Sequence, residues 1–375
     1  MREYLLVATV AAVVTYLVAV LAREAALRIN AVAAVRDRDV HAIPIPYFGG
    51  IAMLAGLLAA YLVARNLPFL STSNEVVFDD AGAVLLGGLI ICAVGVVDDI
   101  FELDALTKFA GQVAAATVVV ALGVQFYYLP LPGGGALTLD PVQAQLLSVF
   151  LVVLTVNAVN FVDGLDGLAA GVIGIGSGAY FIYAYILAAE NGVTQAIAAA
   201  LLTAALGVAC LGFLAHNFFP ARMFMGDSGS MLIGLVLSCS AISLLAQFQS
   251  GALTEGVAGA RAGLVAPAFL PLILPVAMLL VPFVDLLLAV VRRTRAGRSP
   301  FSPDKLHLHH RLLEIGHSHR RAVLAMYMLA ALVAFGSVVV SLFEGWRSLI
   351  LVGVLAVVTL GATFVLPRWR PTMMH

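Results

Sequence analysis

The chain is a succession of apolar runs, most of them near the ~20 residues that a helix needs to cross a bilayer core, separated by short polar segments. Eleven such runs can be marked, at about residues 4–27, 47–65, 80–97, 108–124, 142–158, 168–188, 194–214, 229–248, 264–290, 322–342 and 347–366. A share of 62% hydrophobic against 11% charged residues, with a mean hydropathy of +1.05, excludes an ordinary soluble domain. Backbone polar groups in hydrocarbon must be satisfied within their own segment, so runs of this length are expected to be helices. The expected fold is an all-α polytopic membrane protein of about eleven transmembrane helices, a single domain over residues 1–375.

Charge sets the orientation. With the N-terminus outside and the C-terminus cytoplasmic, 16 of the 20 basic residues fall on the inner side, and only Arg2, Arg65, Arg261 and Arg347 fall outside. Cytoplasmic loops carry the Lys/Arg excess, so this is the expected topology. A net charge of −1 gives no basic surface for a nucleic-acid partner. Cys92, Cys210 and Cys239 all lie in apolar runs and read as small buried hydrophobes, neither a disulfide nor a metal framework. Between residues 125 and 140, Tyr127, Tyr128, Pro130, Pro132 and three glycines suggest an interfacial turn or small hairpin.

Four polar clusters each adjoin an apolar run, and all four fall on the expected cytoplasmic face. Carboxylates at a membrane boundary are costly and commonly mark an ion or substrate site. Asp98 and Asp99 close the third run. Adjacent carboxylates repel unless a cation or donors compensate, and Mg²⁺ with a diphosphate is one natural compensator. A polar helix end facing water is the other reading. Lys108 precedes the next run, where it can snorkel to phosphates or to lipid headgroups.

The segment Asn157-Ala-Val-Asn-Phe-Val-Asp-Gly-Leu-Asp-Gly167 spaces Asn160, Asp163 and Asp166 three apart, so a helical turn would align them on one face. An Asn/Asp/Gly turn explains the composition but not its place beside a bilayer. Phe224-Met-Gly-Asp-Ser-Gly-Ser230 opens the eighth run with donors for an anion, and Asp227 suits a bridging Mg²⁺ or a simple helix cap. Asn217 and Phe224 offer an amide and an aromatic face for a nucleobase. His307, His309, His310 and Arg311 form the last cluster. No Cys or nearby acidic ligand completes a zinc site there, so contacts to anion and sugar are the better reading.

In these motifs and their order, from about Arg36 to Arg321, the chain resembles the polyprenyl-phosphate N-acetylhexosamine-1-phosphate transferase family, the WecA/TagO/MraY superfamily. The segments Leu103-Asp-Ala-Leu-Thr-Lys-Phe-Ala-Gly-Gln112 and Ser302-Pro-Asp-Lys-Leu-His-Leu-His-His-Arg-Leu312 are most similar to its actinobacterial WecA branch. Tyr47 departs from the pattern, since many relatives carry Arg after the second proline of the 41–50 loop.

The resemblance implies a reaction in which UDP-N-acetylglucosamine and a polyprenyl, here decaprenyl, phosphate give the polyprenyl-diphospho-sugar and UMP. This would initiate cell-envelope glycan synthesis at the bacterial cytoplasmic membrane, with the active site facing the cytoplasm. The implied cofactor is Mg²⁺, with Mn²⁺ as a substitute. It implies Asp227 as metal ligand with Asn160, and Asp163, Asp166, Asn217 and Phe224 around the nucleotide. His307, His309, His310 and Arg311 would read the sugar and diphosphate, and Asp98, Asp99 and Lys108 would receive the lipid phosphate. Asp98, Asp99, Asp227 and His309 are the catalytic candidates. The bilayer is the third partner, and the resemblance leaves room for a homodimer. Two alternatives remain: the same chemistry on UDP-N-acetylmuramoyl-pentapeptide, and a multi-pass transporter, which would place its charges nearer the midplane.

Overall fold

The computed structural model describes residues 1–33, 44–72, 75–130, 136–190, 193, 196–246, 294–295, 297, 318–343 and 345–364. These residues are overwhelmingly helical. The helices are α1 (Arg2–Arg28), α2 (Gly49–Ala64), α3 (Pro68–Thr72), α4 (Glu75–Phe101), α5 (Ala105–Ala121), α6 (Pro141–Val162), α7 (Leu168–Ala189), α8 (Ala196–Asn217), α9 (Gly226–Ala246), α10 (His319–Leu342) and α11 (Trp346–Phe364). Among the described residues seven helices are long and apolar enough to cross a bilayer, and three more apolar helices are shorter. Ten of the eleven expected runs coincide with described helices; the run at 264–290 lies outside the described residues.

Two small antiparallel ladders qualify the all-α expectation. Strands β3 (Tyr128–Pro130) and β4 (Ala136–Thr138) form the hairpin foreseen between residues 125 and 140. The pairing of β1 (Val32–Ala33) with β2 (Ile45–Pro46) was not foreseen, because two-residue strands carry too little alternation to read.

Local chemistry fixes several helix ends. Asp104 caps α5 by accepting from the amides of Leu106 and Thr107 at 3.0 and 3.1 Å. Asp140 caps α6 in a capping box with Gln143, and Pro141 follows at the first helical position, where its missing N–H is no loss.

Helix α9 is the axis of the bundle. Its candidate span is wholly buried, whereas only 28% of the corresponding window of α1 is. Helices α2, α4, α6 and α8 surround it, α1 packs outside on α2 and α8, and α7 carries α10, which in turn carries α11. Lipid gives helices no hydrophobic reason to associate, so close backbone approach must supply the packing. Gly50 of α2 and Gly95 of α4 provide it: a Cβ at either would collide with the backbone of Ser228 in the first turn of α9.

The helices alternate in direction. The C-terminal ends of α1, α4, α6 and α8 therefore gather with the N-terminal ends of α2, α5, α7, α9 and α10. This end of the bundle holds Arg23, Arg28, Lys108, Arg222, Arg320 and Arg321, and the opposite end holds Arg2, Arg65 and Arg347. Among the described helices the basic residues thus favour the end where Asp98, Asp99, Asp163, Asp166 and Asp227 meet.

The glycine contacts give a paired test. Gly95→Ala should cost about 1–3 kcal/mol, because α4 and α9 must move apart. Gly178→Ala, with nothing within 4 Å of the new methyl, should be neutral or stabilising by up to about 1 kcal/mol. Thermal unfolding of both variants in detergent checks this, and equal melting would contradict the backbone contact.

Candidate active site

Asp99 organises the site end of the bundle. Its Oδ1 accepts from the amide of Asp227 at 2.7 Å, and its Oδ2 accepts from the amide of Ser228 at 3.3 Å. The two oxygens thereby take orphan donors at the start of α9, where the helix dipole favours an anion. Gly226 makes this possible. It has φ of +70°, and a Cβ there would overlap the Asp99 carboxylate. The anion that the start of α9 holds is therefore one of the chain's own side chains.

Asp227 then projects among α4, α5 and α6. The Lys108 ammonium, on the first turn of α5, contacts Oδ2 of Asp227 and lies 3.1 Å from Oδ2 of Asp98. Asn160 Nδ2 donates to Asp227 Oδ1 at 2.7 Å and to Ser230 Oγ at 2.9 Å. Asp98 also accepts from the amide of Leu103 at 2.8 Å, which closes the turn between α4 and α5. The side chains of Lys108, Asp98 and Asp227 retain 21%, 12% and 26% exposure, so the cluster is open to a ligand but mostly screened from water.

A second set of contacts joins the α6–α7 turn to the loop before α9. Asn217 is 2% exposed and spends its amide on backbone, accepting from Gly167 N and donating to Met223 O, both at 3.0 Å. Asp166 accepts from the amide of Ala221 at 3.0 Å. Arg23 of α1 donates to Arg222 O, and Arg320 of α10 donates to Phe219 O, each at 3.1 Å. Tyr327 of α10 hydrogen-bonds Gly167 O. On the other side Phe224 N donates to Pro46 O, Gly49 N donates to Phe224 O, and the Tyr47 and Phe224 rings lie 6.3 Å apart. Residues 218–225 are thus held from α1, α2, α8 and α10 and from the α6–α7 turn.

Asp163 differs from its neighbours: its backbone N–H donates to Asn160 O at 3.3 Å, but its carboxyl makes no hydrogen bond or ion pair among the described residues. Burial pushes its carboxyl up to about 7, and the charges of Asp99 and Asp166 add to that rise.

Residues 81–245 match the family described as Glycosyl transferase family 4. The chain is 46% identical to the decaprenyl-phosphate N-acetylglucosaminephosphotransferase of Mycolicibacterium smegmatis, over 97% of this chain and 89% of that one. The chain belongs to this family. It is also 31% identical to the probable undecaprenyl-phosphate N-acetylglucosaminyl 1-phosphate transferase of Bacillus subtilis, over 88% and 83% of the two chains. Likeness to the phospho-N-acetylmuramoyl-pentapeptide-transferase of Mycobacterium bovis, at 30% identity, spans 52% of this chain and 62% of the relative.

The matched segment runs from α4 to α9 and includes every described residue proposed from the sequence as part of the site. Two groups emerge. Asp98, Asp99, Lys108, Asn160 and Asp227 form one connected cluster, and Asp166, Asn217 and Phe224 brace the adjoining loop. His307, His309, His310 and Arg311 lie outside the described residues. The expected alignment of Asn160, Asp163 and Asp166 on one helical face does not form. Helix α6 ends at Val162, with Asp163 as its C-cap, so Asn160 turns to Asp227 while Asp166 turns to the Ala221 amide.

Several residues escaped the sequence reading. Arg23 and Arg320 act through distant carbonyls, which no local pattern announces. Gln112 was readable as a lone amide inside an apolar run, one helical turn beyond Lys108.

Among the described residues the site gathers five acidic side chains, Asp98, Asp99, Asp163, Asp166 and Asp227, around one ammonium, Lys108. Arg23 and Arg320 spend their Nε donors on carbonyls. Phosphates entering such a place need added positive charge. The donors are hard oxygens, which suit Mg²⁺. Among the described residues no group of three or more His, Cys, Asp or Glu is arranged as a complete cage. Mg²⁺ is commonly held through only one or two carboxylates together with substrate phosphates.

Asn217→Leu should strip the Gly167 amide and Met223 carbonyl of their partner and cost about 2–3 kcal/mol. Freed of that brace, the 218–225 loop should be cut faster by trypsin at the exposed Arg222. Wild-type melting and digestion rates would show that the brace is dispensable.

Proposed function

We propose that this chain transfers N-acetylglucosamine-1-phosphate from UDP-N-acetylglucosamine to a polyprenyl phosphate and releases UMP. The observation that carries this reading is the 46% identity, over 97% of the chain, to an enzyme named for that transfer on decaprenyl phosphate. The one-sided cluster of acidic and amide side chains supports it. In this reading residues 1–375 are one membrane domain of eleven spans, N-terminus outside and C-terminus inside, with the site facing the cytoplasm of a bacterial cell. The basic bias toward the site end supports that orientation.

Chemically, an oxygen of the lipid phosphate attacks the β-phosphorus of the sugar nucleotide. The bridging P–O bond breaks, and UMP leaves with the bonding pair. A phosphate monoester has a second pKa of about 6, so this nucleophile is largely ionised near neutrality and little general-base help is required. The remaining task is to bring two anions together and align them. Mg²⁺, held by Asp227 with the amide oxygen of Asn160, would supply Lewis-acid charge neutralisation of the phosphates. Lys108 holds Asp98 and Asp227 together and offers the nearest ammonium to an incoming lipid phosphate. Asp98, paired with Lys108, is the candidate acceptor for any residual proton. Asp99 fixes the first turn of α9 and so aims Asp227.

The nucleotide falls to Asp163, Asp166, Asn217 and Phe224. Asp163 supplies an uncommitted carboxyl, Phe224 a ring face beside Tyr47, and Asp166 and Asn217 hold the loop. His307, His309, His310 and Arg311 complete the sugar and diphosphate contacts. A homodimer is compatible with this arrangement.

Purified enzyme with UDP-N-acetylglucosamine, decaprenyl phosphate and Mg²⁺ should yield UMP and glycolipid, and chelation should stop the reaction. UDP-N-acetylmuramoyl-pentapeptide should be a poor donor; preference for it would move the protein to that branch. Sugar uptake into proteoliposomes without lipid product would make it a transporter. Asp227→Asn should lower kcat by about 10³-fold or more. Near-normal turnover in that variant would remove Asp227 from the metal role. His309→Ala should impair use of the sugar nucleotide while leaving membrane insertion intact.

A further inference from the structure

Beneath the site, one helical turn into the bundle, a second polar layer repeats its geometry. Gln112 lies four residues after Lys108 on α5, Asn157 three before Asn160 on α6, and Met231 four after Asp227 on α9. These spacings put each residue on the same helical face as its site counterpart. Asn157 Nδ2 donates to Gln112 Oε1 at 2.6 Å, and Gln112 Nε2 lies 3.5 Å from Asn157 Oδ1 and 3.3 Å from Met231 Sδ. Asn157 Nδ2 also donates to Val153 O at 2.8 Å. Gln112 is 1% exposed, while Asn157 lies at the exposed margin of α6.

An apolar pair would be the cheap choice at this depth, since a buried amide must satisfy its donors and acceptor or lose free energy. What the amides add over leucines is direction, because two planar groups bonded edge to edge set the rotation and register of α5 against α6. The layer above needs that constraint. Lys108 and Asn160 reach Asp227 from two different helices, and a slip of either along α9 would break the contact.

We infer that the Gln112–Asn157 amide clasp is a positioning device: it sets the register in which Lys108 of α5 and Asn160 of α6 engage Asp227. Neither amide touches the reacting groups. The inference rests on the transferase reading only for its kinetic consequence. The nucleotide loop hangs on Asp166 and Asn217, which contact neither amide. Breaking the clasp should therefore lower kcat and spare KM for the sugar nucleotide.

The chain has two lysines, Lys108 and Lys305, so amine labelling of full-length protein reports on the first with the second as internal reference. In Gln112→Met, similar in shape but without the amide, the Lys108/Lys305 labelling ratio should rise about threefold as the ammonium loosens from its carboxylates. In the same protein kcat should fall about tenfold or more, with KM for UDP-N-acetylglucosamine within about twofold. If Gln112→Met fails to fold, Asn157→Leu removes the clasp from the exposed side and should give the same pattern. The exchanged pair Gln112→Asn with Asn157→Gln should recover most of both readouts.

An unchanged labelling ratio in folded Gln112→Met or Asn157→Leu overturns the inference, whatever the kinetics. So does a fall in melting temperature with kcat preserved, since the amides would then be helix glue alone. Absence of transfer by the wild type would sink the enzymatic reading but leave the labelling result interpretable.

Discussion

The bond between the Asp99 carboxylate and the first amides of α9 is the contact on which the site end depends. A buried helix start leaves donors with no partner, and a buried carboxylate leaves acceptors with none. Bringing the two together settles both, and it joins the last turn of α4 to the axis of the bundle. Gly226 and Gly95 clear the space for this junction. Asp227 then emerges at a fixed angle, and Lys108 and Asn160 can meet it from the neighbouring helices. Asp98 and Asp99 are adjacent in sequence yet work in different directions: one compensates an ammonium, the other a helix terminus.

Much of the fold was legible because the bilayer leaves few options. A long apolar run in hydrocarbon must be a helix, so runs predicted helices with little help from local propensity. The clusters were legible for the related reason that charge beside lipid is expensive. Asp98, Asp99, Asp163, Asp166 and Asp227 all stood out on that ground.

Their partners did not. Asn160 bonds Asp227 across 67 positions, and Asp99 bonds the Asp227 amide across 128. Such pairings come from helix packing, which short-range spacing does not encode. One local geometric expectation, a shared face for Asn160, Asp163 and Asp166, failed where α6 stopped at Val162. Asn217 shows the same limit in another form. An exposed-looking loop amide proved to be a buried brace, because its loop is pinned from four helices and the α6–α7 turn instead of lying in water.

The reach of Arg23 has a consequence for how the molecule is assembled. Its guanidinium, near the end of the first helix, finds its carbonyl acceptor 199 residues later. Contacts separated so widely along the chain close late, after the intervening segments have taken their places. During synthesis α1 cannot make that bond until the loop before α9 arrives. The loop before α9 is thus tied to a segment from the far side of the sequence, and a nascent chain halted before α9 would hold α1–α8 without Asp227 or the contacts it makes.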